Sequence, residues 1–257
     1  MTSHGFAKRL LRRAGLAGAA LALSLLPVRA AEDDTPRLLT LLGIRSATVA
    51  PDHAAFAALA YSNRRNLSGT YLNSPDSSAG IGGVMGDAGT GIGLQFGASF
   101  TGLNSGIGRS GYLSLQAGHL LKGAKVPTFV ALSVDRLAGW GDANAIAPAV
   151  SAMVTWFPTT RIGATRYPLM LTLGLGDHIR NDGQDPGGFA GIGIGLDPDF
   201  GISAAWTGDS VTIGGSFTTD ALKNWSFSAE LDDAFNQNAS RRVTISATIL
   251  LENAFGG

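Results

Sequence analysis

The histidines are where catalysis would show first. The chain has four: His4, His53, His119 and His178. A nucleophile–base pair on one face of a strand needs a serine two residues from a histidine. The second neighbours of His53 are Pro51 and Ala55, those of His119 are Ala117 and Leu121, and those of His178 are Gly176 and Arg180. Asp177 and His178 adjoin in sequence, but strand alternation sends adjacent side chains to opposite faces. No base–orienter pair is therefore expected there, and a Ser/His/Asp set gathered from distant strands is the remaining catalytic alternative. The chain is not expected to be an enzyme.

Two other motifs carry chemistry in some settings. "GIGRSG" (Gly106–Gly111) matches G-x-G-x-x-G, but a dinucleotide fingerprint needs a helix after it. The alternating run "YLSLQAGHLL" follows instead, so a hairpin loop is the better reading. "NDGQDPGG" (181–188) offers Asp182 and Asp185 as oxygen donors. A calcium loop supplies more carboxylates, ending in a bidentate Glu, so a surface turn fits better and no metal is expected. No cofactor is expected either. The absence of cysteine excludes disulfides, thiolate catalysis and cysteine–zinc sites.

These residues sit in a chain of unusual composition. Only 15% of its residues are charged and its net charge is zero. Soluble domains carry about 25% charged residues, and nucleic-acid binders show a basic stripe, so no nucleic-acid partner is expected. Glycine accounts for 36 of 257 residues, about twice the usual share of 7%, without a collagen period.

The N-terminus reads as an export signal over residues 1–30. Lys8, Arg9, Arg12 and Arg13 form a basic region, Ala14 to Val28 an uncharged apolar run, and "VRA" the small residues before a cut after Ala30. The apolar run falls short of the about 17–25 residues of a spanning helix. Residues 31–51 follow as a linker or short plug, with "LLTLLGI" readable as helix or strand.

From residue 52 to 257 a period of two dominates. In "GTGIGLQFGASFTG", Ile92, Leu94, Phe96, Ala98 and Phe100 alternate with Gly91, Gly93, Gln95, Gly97 and Ser99. Eleven such runs occur, among them Ala55–Asn63, Tyr112–Leu121, Thr128–Leu137 and Val243–Glu252. Their length is close to the about 9–11 residues of a tilted membrane strand. A soluble sandwich would project Lys, Glu and Arg from its outer face. Here the non-greasy face is Gly, Ser, Thr, Ala and Gln, which suits the crowded lumen of a small barrel. Trp156, Trp206, Trp225, Tyr112 and Tyr167 fall near run ends, where aromatic girdles lie. The expectation is an all-β, antiparallel transmembrane barrel of about 12 strands, within a range of 10–14. An even count requires one more strand, in 66–73 or 39–50. Phe255 falls in register with the last strand, as a terminal aromatic would. Lumen-lining candidates are Gln95, Ser99, Gln116, Asp135, Arg180, Glu230 and Asp232.

With these runs in hand, the chain resembles Gram-negative outer-membrane β-barrels. "ALAYSNRR", "GDAGTGIGLQFG", "SGYLSLQAGHLL", "LTLGLGDHIRNDG" and "AAWTGDSVTIGGSF" are similar to a diffuse group of uncharacterised proteobacterial and cyanobacterial barrel-like proteins. Some of these lie near exopolysaccharide export systems. The resemblance covers roughly residues 50–252. It implies the cell outer membrane as location, with outer-membrane lipid, the barrel assembly machinery and export-system components as partners. The functional expectation is a channel or export accessory for small polar solutes or glycans. The alternatives are a closed structural or surface-interaction barrel, a barrel hydrolase and a secreted soluble sandwich.

Overall fold

The computed structural model describes residues 28–30 and 37–255, apart from 68, 69, 73, 146, 182 and 223. Twelve antiparallel strands close into a barrel. In chain order they are β1 (Ala55–Ser62), β2 (Asp76–Met85), β3 (Gly93–Phe100), β4 (Gly111–Leu120), β5 (Thr128–Asp135) and β6 (Ala149–Trp156). The second half comprises β7 (Thr165–Arg180), β8 (Asp185–Asp197), β9 (Phe200–Trp206), β10 (Val211–Thr218), β11 (Trp225–Asp232) and β12 (Arg242–Leu251). Each pairs with the next, and β12 pairs with β1, setting Leu251 opposite Ala55. A short outer strand, Thr159–Ile162, pairs with the start of β7.

The alternation sorts the side chains inside out. Leu132, Leu175 and Ile245 project outward, 62%, 66% and 54% exposed, while their neighbours Ser133, Gly176 and Thr244 face the lumen. On β3, Leu94 and Phe96 are exposed and Gln95 and Ser99 are buried. Apolar side chains outside and hydroxyls inside are the pattern of a barrel meant for hydrocarbon. No helix among the described residues is long and apolar enough to cross a membrane.

Both chain ends of the barrel, Ala55 and Leu251, lie at one mouth, here the terminal mouth. The hairpin turns at 86–92, 121–127 and 198–199 share it. The far mouth carries the connections 63–75, 101–110, 136–148 and 233–241.

Several expectations are corrected. The twelfth strand is β2, not 66–73 or 39–50. Its sequence "DSSAGIGGVM" has too few large residues to show a period, because the strand is packed by its neighbours' rings. A Cβ on Gly82 would meet the Phe56 ring at 2.4 Å and the Phe96 carbonyl at 2.2 Å. Backbone from 65–67 pairs with 70–72 in a separate small hairpin. Tyr112 is not in a girdle. It lies in lumen register on β4, is buried, and hydrogen-bonds Ser99. The last strand stops at Leu251, and Asn253 turns the chain with φ 54°. Phe255 therefore leaves the strand register, and its amide donates to the His53 carbonyl. The expected signal lies outside the described residues except for Val28–Ala30, which pair with Arg37–Leu39. A cut after Ala30 would remove that short strand.

Candidate functional site: an occupied lumen

The lumen is occupied by the chain itself. Residues 37–54 enter at the terminal mouth, rise toward the far mouth, turn at Gly43–Arg45 and return to β1. The rising limb is fixed at its base by Arg37, whose guanidinium donates to the Leu196 carbonyl and lies 4.9 Å above the Tyr167 ring. The turn reaches the height of Thr212 and of Asp135, near the far ends of β10 and β5. The returning limb ends where Asp52 Oδ1 accepts the Gly86 amide at 2.7 Å.

Backbone buried without a ladder must find its partners elsewhere, and here lumen side chains supply them. The Leu42 amide donates to Ser203 Oγ (3.1 Å), the Ala47 amide to Thr155 Oγ1 (2.8 Å) and the Ala50 amide to Gln95 Oε1 (3.0 Å). Gln116 Nε2 donates to the Ser46 and Thr48 carbonyls at 3.0 and 2.9 Å. Thr40 and Ser216 share a hydroxyl hydrogen bond of 2.7 Å. Thr155 is itself held by Thr172 at 2.7 Å.

Glycine clears the track. A Cβ on Gly193 would stand 2.0 Å from the Thr40 carbonyl oxygen, and one on Gly118 would stand 2.9 Å from that of Ala47. The glycines that make the lumen face look empty in sequence thus give the segment its room.

The contact is also apolar. Leu39, Leu41, Ile44 and Ala47 form one buried cluster with Ala131, Met153, Met170, Phe189 and Ala205 of β5 to β9. The adjoining arc of the wall is hydroxyl-rich, with Thr212, Ser216, Thr244, Ser246 and Thr248 buried on β10 and β12.

Six of the seven lumen candidates line or rim this space. Gln95 and Gln116 bind the segment directly. Ser99 partners Tyr112. Asp135 is paired with Arg45 of the segment. Glu230 is buried and accepts the Gly43 amide. Asp232 binds Arg242, with Nε at 2.9 Å and a terminal nitrogen at 2.6 Å, and accepts from Thr212 Oγ1 at 3.0 Å. Arg180 is placed differently. It is exposed at the tip of the β7–β8 hairpin, where its Nε donates to the Pro186 carbonyl at 2.9 Å.

A bulge near that tip also overturns the expected separation of Asp177 and His178. The β7–β8 register shifts between Gly176 and Arg180, which breaks strict alternation. His178 Nδ1 then lies 2.9 Å from Asp177 Oδ1, and Oδ1 also accepts the Val150 amide at 2.8 Å. Of the two loop carboxylates, Asp182 is outside the described residues, and Asp185 accepts a hydrogen bond from Asn181. No cluster of three or more metal-ligating side chains occurs among the described residues.

Sequence reasoning missed Arg45, Thr155, Ser203 and Arg136. Arg45 lies in an unpatterned stretch. Thr155 and Ser203 do sit in lumen register, but nothing in an isolated strand says that a chain segment lies across from it. Arg136, just past β5, is 5% exposed and has φ 58°.

No family model matches the chain, and no curated protein matches it. Solved structures similar to it include the KdgM porin in complex with disordered oligogalacturonate, at 12% identity and a TM-score of 0.47, covering 76% of this chain and 98% of that one. An outer membrane channel from Pseudomonas putida F1 is similar at 12% identity and a TM-score of 0.41, covering 79% and 97%. The Acinetobacter baumannii outer membrane protein Omp33 is similar at 7% identity and a TM-score of 0.45, covering 77% and 97%.

Proposed function

We propose that the chain is an integral outer-membrane β-barrel channel held shut by its own N-terminal segment. One observation carries the reading: both limbs of the buried segment pass through the terminal mouth. It can leave the lumen as a loop, with no free end crossing the pore. Its departure would uncover an arc of Ser and Thr hydroxyls suited to small polar solutes or glycans.

Magnitude decides how such a gate works. Leu38, Leu39, Leu41, Leu42 and Ile44 are all at least 94% buried. Each contributes roughly 1.5–3 kcal/mol on burial, an upper estimate because free segments bury some surface too. The total is on the order of 10 kcal/mol, far beyond thermal fluctuation. Opening therefore needs a partner or an applied force acting on the residues before Arg37, the role open to an export-system component.

The test is planar-bilayer recording of the full chain beside a variant lacking residues 37–50. The full chain is expected to stay closed at modest voltage, and the deletion variant to show sustained single-channel current. Silence from both, with barrels shown to be folded by heat-modifiable gel migration, would refute the channel and leave a structural barrel.

A further inference from the structure

The far end of the lumen buries two guanidiniums whose hydrogen bonding is incomplete. Arg45, on the segment, and Arg136, just beyond β5, are 7% and 5% exposed. Asp135 is the carboxylate between them and is engaged by Arg45. One terminal nitrogen of each guanidinium has no hydrogen-bond partner. Two hydroxyls in the same neighbourhood also lack partners: Ser114, directly across the strand from Asp135, and Ser133, two residues before it on β5. Both are at most 3% exposed.

Two further titratable groups, Tyr112 and Asp177, act on Arg136. Tyr112 is buried beside it and is neutral near pH 7. Asp177 lies half exposed and is in contact with His178. Burial draws the Arg136 guanidinium below its ordinary value, and Tyr112, Asp135 and Asp177 act against that shift. Buried donors left without a partner destabilise the fold until something accepts from them.

We propose that Arg45, Arg136, Ser114 and Ser133 form a binding site for one small oxyanion, a carboxylate, phosphate or sulfate group. Every unsatisfied atom in the cluster can donate a hydrogen bond, so an anion with several acceptor oxygens answers all four. Guanidinium planes suit such anions because they present parallel N–H pairs. Arg45 belongs to the segment and Arg136 to the wall, so the bound anion would bridge the two. The site rests on the segment being in the lumen and not on the channel conducting.

Asp135 competes with the anion for the same cations, and this gives the proposal a signature that a structural role would not share. The full chain in detergent is titrated with sodium phosphate, sulfate and acetate against chloride at equal ionic strength, following thermal unfolding. A saturable rise in melting temperature is expected with the oxyanions and not with chloride. The three arms show which oxyanion geometry is preferred. R136Q is expected to weaken the midpoint about tenfold or more, the loss of a charge-assisted hydrogen bond. D135N is expected to tighten it, and the S114A/S133A pair to weaken it. Gel heat-modifiability confirms that each variant folds, and the serine pair and D135N carry the test if R136Q does not. An equal rise in R136Q and the parent would reveal a general salt effect and overturn the site. So would a D135N variant whose midpoint is unchanged or weaker.

Discussion

Gly193 and Thr40 approach so closely that a single added carbon on Gly193 would stand 2.0 Å from the Thr40 carbonyl oxygen. The glycine belongs to the barrel wall and the threonine to the segment inside it. The wall needs no side chain at this position for its own ladder, since Gly193 pairs through its backbone with Met170 and Ser203.

Gly193→Val is therefore expected to spare the barrel and displace the segment. Overpacking of this kind costs about 1–3 kcal/mol where neighbours can yield, and here the obstruction is backbone. The chain lacks cysteine, so a single cysteine at Ser46 reports displacement through its labelling rate. Faster labelling with unchanged heat-modifiable migration is expected. Loss of the folded band would show instead that the segment is required for the barrel to form.

Thr155→Val removes the acceptor of the Ala47 amide and the partner of Thr172 while keeping the volume. A buried donor left unmade costs about 1–3 kcal/mol, so exchange of the Ala47 amide should speed by about tenfold or more. Thr155→Ser keeps the hydroxyl and should exchange close to the parent rate. Equal rates in both variants would mean that the hydrogen bond does not hold the returning limb.

Leu132→Arg separates a membrane barrel from a soluble sandwich. Leu132 is 62% exposed and stands mid-strand, between Ala117 and Ala152. On a water-facing sheet such a change stays within about 0.5 kcal/mol. In the hydrocarbon midplane it costs about 2–4 kcal/mol. Unfolding from lipid vesicles in denaturant is expected to show the larger loss.

Asp233 makes the far-mouth loop acid-sensitive in a defined direction. Burial acts to raise its pKa, but the amides of Ser240, Asn238 and Gln237 and the Ser240 hydroxyl all donate to it, and the net effect is downward from 3.8. A carboxyl with a depressed folded pKa contributes stability above its unfolded pKa and loses it as pH falls through the folded one. The loop 233–240 should stay ordered down through the ordinary carboxylate range and loosen only below it, as read by amide chemical shifts. Asp233→Asn should loosen it at neutral pH.

How much of this could be read from sequence depended on whether a residue's environment was local. Ile92 to Phe100 declared both faces of β3, because period two comes from the pleat alone. β2 was hidden because its glycines take their packing from Phe56 and Phe96, in other strands. The segment 37–50 shows no period because it is surrounded on all sides: Leu38, Leu39, Leu41 and Leu42 are all buried. Asp177 and His178 defeated the alternation rule through a bulge, which a single sequence does not reveal. The lumen glycines fit a crowded small barrel on sequence grounds, but their use as a track for backbone is visible only with the occupant in place.

The returning limb runs directly from Ala54 into β1 at Ala55. The occupant of the lumen is thus a tethered ligand. Its effective concentration at its own site is on the order of millimolar or higher. A free peptide copying residues 37–50 would have to exceed that concentration to take its place, and dilution never releases it. An efficient regulator would therefore act as a handle on the tether's other side and not as a competitor for the pore.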